Sequence, residues 1–313
     1  RVLVISGPTA VGKSRLAEEI CRKCNGEIIS ADSVQVYRGM DIGSAKPTRE
    51  IQDDIKHHLV DTHSPTEEYN AAIFATEAHG AIKDIISRGK LPVVVGGTGF
   101  YIEWLLYGRP DAPPPTAAAA EKASKEVEGF RGNWEEAFKR IEEVDPVSSK
   151  ELPRNNWYRL KRLLEVYYTG GKPLSDYHRP NGKGMGQDEF QSFVHNACRY
   201  DYRCYFLSRP RRDLFRAIDE RCEAMVSEGL LQEVIQLEEG GSPSATTPAE
   251  RSIGYRQSLD LLANWTAIIK DSTVLHRMDE ELLVFLRVFQ SASRNFAQRQ
   301  LKQFRREPFF HWV

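Results

Sequence analysis

The chain has 313 residues and carries 43 Lys and Arg against 44 Asp and Glu, which gives a formal net charge of −1 at neutral pH. Its length exceeds what one compact core usually holds and so favours two domains, and any basic surface for nucleic acid must be local. No apolar run approaches the roughly 18 residues of a membrane span, and the five scattered cysteines are typical of reduced thiols. We therefore expect an intracellular protein, cytoplasmic or organellar, with no membrane segment.

The first elements along the chain are a strand, a glycine-rich loop and a helix. An apolar strand is predicted over Val2–Ile5 and a helix over Arg15–Lys23. The intervening Gly7–Ser14 reads Gly-Pro-Thr-Ala-Val-Gly-Lys-Ser and fits the P-loop pattern in the context that this motif needs. Backbone N–H groups of such a loop cradle a di- or triphosphate, Lys13 adds a positive charge, and the Ser14 hydroxyl is placed for Mg²⁺. The motif predicts a phosphate ligand but not the reaction.

Further strands and helices follow in alternation. Short apolar strands are predicted over Glu27–Ala31 and Leu91–Val95, and apolar residues at helical spacing predict a helix over Asn70–Ser87. The next helix is predicted over Phe100–Tyr107. Strands separated by helices indicate a parallel sheet covered on both faces. The predicted fold class is therefore α/β, with a P-loop NTPase-like parallel sheet flanked by helices.

A proline-rich stretch at 111–115 interrupts this alternation and is interpreted as a linker. The residues after it are mostly helical, and Tyr205–Leu207 resembles a returning strand of the first sheet. We therefore expect an inserted helical domain over residues 116–195, within a P-loop core formed by residues 1–115 and 196–313. In the second part of the core, long helices are predicted over 211–240 and 280–305, and a flexible glycine-rich loop is predicted at 181–186 within the insertion.

A polar loop at residues 30–46 follows the second strand. Asp32 ends that strand, 19 residues after Lys13, at the carboxyl edge where open α/β sheets bind ligands. An ATPase normally has an acidic residue after its second apolar strand, whereas Leu91–Val95 is followed by Gly-Gly-Thr. The Asp32 carboxylate could accept a proton from an exocyclic amine, and the Gln35 amide could bond to a base edge. The residues alone leave open a capping or Mg²⁺-water role for Asp32 and simple solvation for Gln35.

Two segments concentrate basic residues. Arg154–Lys172 holds five basic residues against one acidic residue, with aromatic side chains interleaved, and Arg287–Arg306 holds six basic residues and no acidic one. A chain that is neutral overall can in this way present local basic faces that bind phosphates. The alternative for either segment alone is an ordinary solvated helix face.

The block at 29–47 reads Ile-Ser-Ala-Asp-Ser-Val-Gln-Val-Tyr-Arg-Gly-Met-Asp-Ile-Gly-Ser-Ala-Lys-Pro and is far more specific than the P-loop. It resembles the corresponding block of the tRNA dimethylallyltransferase (isopentenyltransferase) family. The resemblance covers nearly the whole chain and also rests on the P-loop, His57–Asp61, Val94–Tyr101, Arg159–Val166, Gly171–Pro173, Ser252–Arg256 and Ser293–Gln300. Two departures are Ser44, where the family usually has Thr, and Gln298, where a lysine is common.

The resemblance implies transfer of a dimethylallyl group from dimethylallyl diphosphate to N6 of adenine 37 in tRNA, next to the anticodon. It implies that Asp32 is the general base for the N6 proton, that Thr98 places the nucleophile or contacts the tRNA, and that Arg221 is directed at the diphosphate. A surface ion pair of Arg221 with Glu220 or Glu228 is the alternative.

The resemblance also implies the binding residues. The diphosphate would be held by Gly7, Thr9, Ala10, Gly12, Lys13 and Ser14, with the cofactor Mg²⁺ near Ser14. Adenine and tRNA contacts would come from Ser33, Gln35, Arg159, Lys161, Arg162, Arg294 and Arg299. The expected partners are the anticodon loop of tRNA and dimethylallyl diphosphate, and the expected oligomeric state is a monomer.

Two rival activities stay open at this point. An adenylate isopentenyltransferase, which modifies free AMP, ADP or ATP in cytokinin synthesis, would share the P-loop and the aspartate. The block at 39–47 and the two basic segments favour the tRNA enzyme over it. A P-loop NTPase, RNA-binding switch or small-molecule kinase is less favoured, because no acidic residue follows Leu91–Val95 and only fold analogy supports a kinase.

Overall fold

The computed structural model describes residues 1–108, 112–150, 152–177, 200–239, 252–269 and 277–313. The chain divides into two compact units, one formed by Arg1–Gly108 with Val194–Val313 and the other by Arg109–Phe193. The first unit contains a six-stranded sheet with helices, and the described part of the second is helical. The loop predicted at 181–186 lies outside the described residues.

All six strands of the first unit run parallel in the order β3-β2-β4-β1-β5-β6. The strands are β1 (Val2–Ser6), β2 (Gly26–Ala31), β3 (His57–His58), β4 (Leu91–Gly96), β5 (Tyr202–Phe206) and β6 (Phe310–Trp312). The register pairs Gly96 with both Ser6 and Ala31. The loops after β1, β2 and β4 therefore leave the sheet at the same level, at its carboxyl edge.

The first four helices belong to the sheet-containing unit and are α1 (Lys13–Cys24), α2 (Arg49–Asp54), α3 (Ala71–Ser87) and α4 (Gly99–Tyr107). Helix α1 packs on β2 and β4, and its buried face joins Ile5, Ile28 and Val93 in one apolar cluster. Helix α3 begins where the Asn70 side chain accepts hydrogen bonds from two backbone N–H groups of the first turn, at 3.0 and 3.2 Å. The predicted α/β class with a parallel sheet and flanking helices is confirmed.

The second unit contains α5 (Ala117–Gly129), α6 (Trp134–Val144), α7 (Pro146–Ser149) and α8 (Trp157–Gly170), followed by a 3₁₀ turn at Leu174–Tyr177. Each of the four helices begins at a polar side chain that accepts a backbone N–H of the first turn, from Thr116, Asn133, Asp145 and Asn156. The apolar residues at helical spacing form one core, which includes Trp134, Ile141, Leu160 and Leu164.

The remaining helices return to the sheet-containing unit as α9 (Arg211–Glu228), α10 (Leu230–Glu239), α11 (Tyr255–Ile269) and α12 (Arg277–Phe304). The prediction of one helix over 211–240 is wrong, because Gly229 adopts a left-handed φ of 110° and ends α9. Helix α11 and the short strands β3 and β6 were not predicted. Across the described ranges, no helix combines the length and the apolar character needed to cross a bilayer.

Candidate functional site

The P-loop connects β1 to α1 at the carboxyl edge of the sheet. Gly7, Ala10 and Gly12 all have positive φ, at 153°, 63° and 106°. Helix α1 begins at Lys13 without a side-chain cap and without an acidic residue in its first turn. Its first N–H groups and the positive end of the helix dipole therefore suit an anionic ligand.

The Lys13 ammonium folds back onto the loop that precedes it. Its Nζ donates hydrogen bonds to the carbonyl oxygens of Gly7, at 3.0 Å, and Pro8, at 2.8 Å. Burial, and next the charge of the neighbouring Arg221, lower the pKa of Lys13 to about 7, although the charge of Asp32 opposes both effects. An anion bound in the loop would favour the charged form of Lys13.

Arg221 reaches the P-loop from α9. Its Nη1 donates to the Thr9 hydroxyl at 3.1 Å, and burial lowers its pKa while the charge of Asp32 raises it. Glu220, considered above as a surface partner of Arg221, instead pairs with Arg216 at 2.8 Å. Two cations thus meet at the loop, although more than 200 residues separate Arg221 from it in sequence.

Asp32 follows β2 and uses one carboxylate oxygen to shape its own loop. Its Oδ1 accepts hydrogen bonds from the backbone N–H groups of Val34, at 2.9 Å, and Gln35, at 3.4 Å. Over the described part of the chain, no hydrogen bond occupies its Oδ2. Asp32 therefore stabilises the turn that follows β2 and caps no described helix, and its second oxygen is available to accept a proton.

Thr98 joins the loop after β4 to the loop after β2. Its Oγ1 accepts the backbone N–H of Ser33 at 3.2 Å, and its own N–H donates to the Ala31 carbonyl at 3.3 Å. Ser33 itself is exposed. The structure therefore brings the Thr98 hydroxyl and the start of the Asp32 loop together.

The amide of Gln35 is engaged within the same loop. Its Oε1 accepts from the Ser30 hydroxyl at 2.8 Å, and its Nε2 donates to the carbonyl oxygens of Ser44 and Ala45 at 3.2 and 3.1 Å. One lone pair of Oε1 is left for a further donor. A hydrogen bond from Gln35 to a base edge would therefore use that lone pair or replace one of the three hydrogen bonds within the loop.

A residue without an assigned role in the sequence analysis, Gln300, connects the two halves of the site. It is only 4% exposed on α12. Its Oε1 accepts the Thr9 N–H and its Nε2 donates to the Gly97 carbonyl, both at 2.9 Å. The sequence did contain a signal, because Gln300 is a polar residue at helical spacing with the apolar Ala297 and Phe304.

Comparison with known proteins identifies the family. The family model described as IPP transferase matches residues 35–307. This chain belongs to that family. The protein named tRNA dimethylallyltransferase 9 from Arabidopsis thaliana is 40% identical over 100% of this chain and 71% of its own length. The tRNA dimethylallyltransferase of Protochlamydia amoebophila is 37% identical, over 100% of this chain and 83% of its own.

Solved structures of the same family are similar along the whole chain. A tRNA isopentenylpyrophosphate transferase from Staphylococcus epidermidis has a TM-score of 0.64 and 31% identity, covering 100% of this chain and 92% of its own. A eukaryotic dimethylallyltransferase, described as acting on tRNA, has a TM-score of 0.72 and 27% identity, covering 99% of this chain and 73% of its own. The IPP transferase fold therefore extends over both compact units.

The basic residues predicted to contact tRNA differ in their surroundings. In the sheet-containing unit, Arg294 forms an ion pair with Asp219 of α9 at 2.5 Å, whereas Arg299 is exposed beside the ring of Phe296. In the helical unit, Arg159, Lys161 and Arg162 lie half-buried on α8. Lys161 and Arg162 approach the Glu165 carboxylate at 3.9 and 3.3 Å.

The oxygen donors of the site are compatible with Mg²⁺. The described residues contain no group of three or more His, Cys, Asp or Glu side chains able to hold a metal ion. The P-loop instead offers the exposed Ser14 hydroxyl at the start of α1. A sparse set of hard oxygen donors suits a cation that keeps several waters and binds mainly to substrate phosphates.

Proposed function

We propose that this protein is a tRNA dimethylallyltransferase, which transfers a dimethylallyl group from dimethylallyl diphosphate to N6 of adenine 37, next to the anticodon. The observation that carries the proposal is the Asp32 carboxylate, whose Oδ2 lies open at the sheet edge where Lys13 and Arg221 converge on the P-loop. This pairs a proton acceptor with a diphosphate cradle. Relatives named as tRNA dimethylallyltransferases support the choice of tRNA.

The cradle assists departure of the diphosphate. Breaking the allylic C–O bond builds negative charge on the leaving oxygens, and donors that are already aimed at them lower the barrier. The uncapped backbone N–H groups at the start of α1, together with the Lys13 and Arg221 side chains, supply those donors. Ser14 would hold Mg²⁺, which when bound would neutralise part of the diphosphate charge.

Asp32 acts on the acceptor side of the reaction. The N6 nitrogen forms a bond to C1 of the dimethylallyl group as the C1–O bond breaks, and one N6 proton passes to Oδ2 of Asp32. General-base assistance of this kind contributes about 10²–10⁴-fold to the rate. The adenine must leave its stack to reach the site, which is easier in a loop than in a duplex.

The tRNA backbone is proposed to contact the basic residues of both units. Arg159, Lys161 and Arg162 on α8 would bind phosphates. Arg299 would contribute from α12. The Asp219 ion pair favours a mainly structural role for Arg294.

We further propose a monomer, since Thr9, Asp32 and Arg221 are brought together within one chain. The proposed tRNA substrate is consistent with a cytoplasmic or organellar location.

The test supplies labelled dimethylallyl diphosphate and Mg²⁺ to two acceptors in parallel. One acceptor is an unmodified tRNA with adenines at positions 36 to 38, and the other is a mixture of AMP, ADP and ATP. We expect label in tRNA alone, and digestion to nucleosides should place it on adenine 37. Label in the free nucleotides would identify the adenylate isopentenyltransferase instead. No label together with ATP hydrolysis would support a P-loop NTPase.

A further inference from the structure

A buried carboxylate on α10 holds part of the loop that follows Asp32. Glu233 is only 8% exposed. Its Oε2 accepts the backbone N–H groups of Asp41, at 2.8 Å, and Ile42, at 2.7 Å, and its Oε1 accepts that of Gly43 at 3.1 Å. Three successive N–H groups converging on one anion form a nest that fixes the backbone conformation of this segment.

A tyrosine from α11 completes this anchor. The Tyr255 hydroxyl donates to Oε1 of Glu233 at 2.6 Å, and burial together with the Glu233 charge raises the pKa of Tyr255, which keeps its hydroxyl protonated. A Cβ on Gly43 would lie 2.5 Å from the Tyr255 ring. The buried ring leaves no room for it, so the contact explains why glycine stands at position 43.

The anchor connects to the catalytic loop through a short chain of hydrogen bonds. The segment held by Glu233 runs directly into Ser44 and Ala45, whose carbonyl oxygens accept the Gln35 amide. The Gln35 backbone N–H in turn donates to Asp32 at 3.4 Å. The position of the 41–45 backbone therefore determines where Gln35 sits and supports the turn that aims Asp32.

We propose that Glu233, assisted by Tyr255, is a positioning residue for the acceptor base in the reaction proposed above. It acts through residues 41–45 and Gln35, and it touches none of the P-loop residues. Loss of this anchor should therefore weaken productive binding of tRNA and leave diphosphate binding unchanged. A residue with only a general effect on stability would not separate the two substrates in this way.

The central variant is Glu233→Gln, which keeps the side-chain shape but replaces one acceptor oxygen with a donor. We expect kcat/KM for tRNA to fall roughly 10- to 100-fold, because small displacements of aligned groups have effects of that size. The dissociation constant for pyrophosphate, measured by calorimetry, should stay within about two-fold of wild type. Tyr255→Phe, which removes one donor and keeps the ring, should shift tRNA kinetics in the same direction by less.

The matched control is Glu27→Gln at the amino end of β2. Glu27 is a 1% exposed carboxylate that binds Arg88, Lys90 and His58, and its hydrogen bonds with Arg88 hold its pKa well below the usual range. Its substitution also removes buried contacts, but it should lower thermal stability without lowering kcat/KM for tRNA at a temperature where the variant is folded. Equal tRNA kinetics for Glu233→Gln and Glu27→Gln would overturn the proposal.

Hydrogen exchange separates failure of this proposal from failure of the proposed function. Glu233→Gln should lose protection at the amides of residues 41–43 and keep it in the P-loop, whether or not tRNA is the substrate. If wild type transfers no label to tRNA, the proposed function fails and the positioning role falls with it. If wild type is active and the amides lose protection while tRNA kinetics stay unchanged, only the positioning role is refuted.

Discussion

Replacing Gln300 with methionine tests whether one buried amide holds the P-loop against the loop after β4. The change keeps the length of the side chain but removes the acceptor for the Thr9 N–H and the donor to the Gly97 carbonyl. A buried polar group left without a partner costs about 1–3 kcal/mol. The buried Gly97 carbonyl incurs the full cost, whereas the half-buried Thr9 N–H can donate to water, which offsets part of the lost hydrogen bond. We expect a loss of about 2–4 kcal/mol in the free energy of unfolding.

The assay combines urea unfolding with pyrophosphate titration in the presence of Mg²⁺. Gln300→Met should unfold at lower urea concentration and bind pyrophosphate more weakly, because Thr9 is no longer held in place. Gln300→Glu, which keeps an acceptor for Thr9 but brings a negative charge to the cradle, should bind it more weakly still. The matched control is Gln298→Met, an exposed glutamine on the same helix. Indistinguishable unfolding and titration curves for Gln300→Met and Gln298→Met would refute this reasoning.

The remaining predictions concern the charged residues of the sheet-containing unit. The pKa of Lys13 is lowered to about 7 from 10.5, so between these values the unfolded chain binds more protons and this site's contribution to stability rises with pH. In the same pH range, pyrophosphate should bind with uptake of a proton by Lys13. Calorimetry in buffers of different ionisation enthalpy should show more proton uptake for wild type than for Lys13→Arg. Equal uptake by the two proteins would contradict the lowered pKa of Lys13. Arg294→Ala and Asp219→Ala should destabilise the fold to a similar extent, since each breaks one ion pair. A defect confined to tRNA binding in Arg294→Ala alone would instead indicate a direct contact.

Features carried by a continuous segment were predictable from the sequence. The P-loop and Asp32 lie within local strand-to-loop patterns, and the register of β1, β2 and β4 brings their loops to the same edge. The apolar spacing of α3 likewise identified that helix. For these elements the local pattern and the tertiary packing agree.

The long-range partners of the site could not be predicted in the same way. Gln300 contacts Thr9 across 291 residues, and Glu233 contacts Asp41 across 192. Nothing local to either residue indicates its partner. The two-residue strand β3 is too short to show a period, and the left-handed conformation of Gly229 was hidden within an otherwise helical pattern.

The most direct test of the central claim is single-turnover transfer of labelled dimethylallyl to tRNA by Asp32→Asn, measured beside pyrophosphate binding by the same variant. If Asp32 accepts the N6 proton, transfer should slow by about 10²–10⁴-fold, while the dissociation constant for pyrophosphate changes little. Near-normal transfer to tRNA by Asp32→Asn would contradict the account.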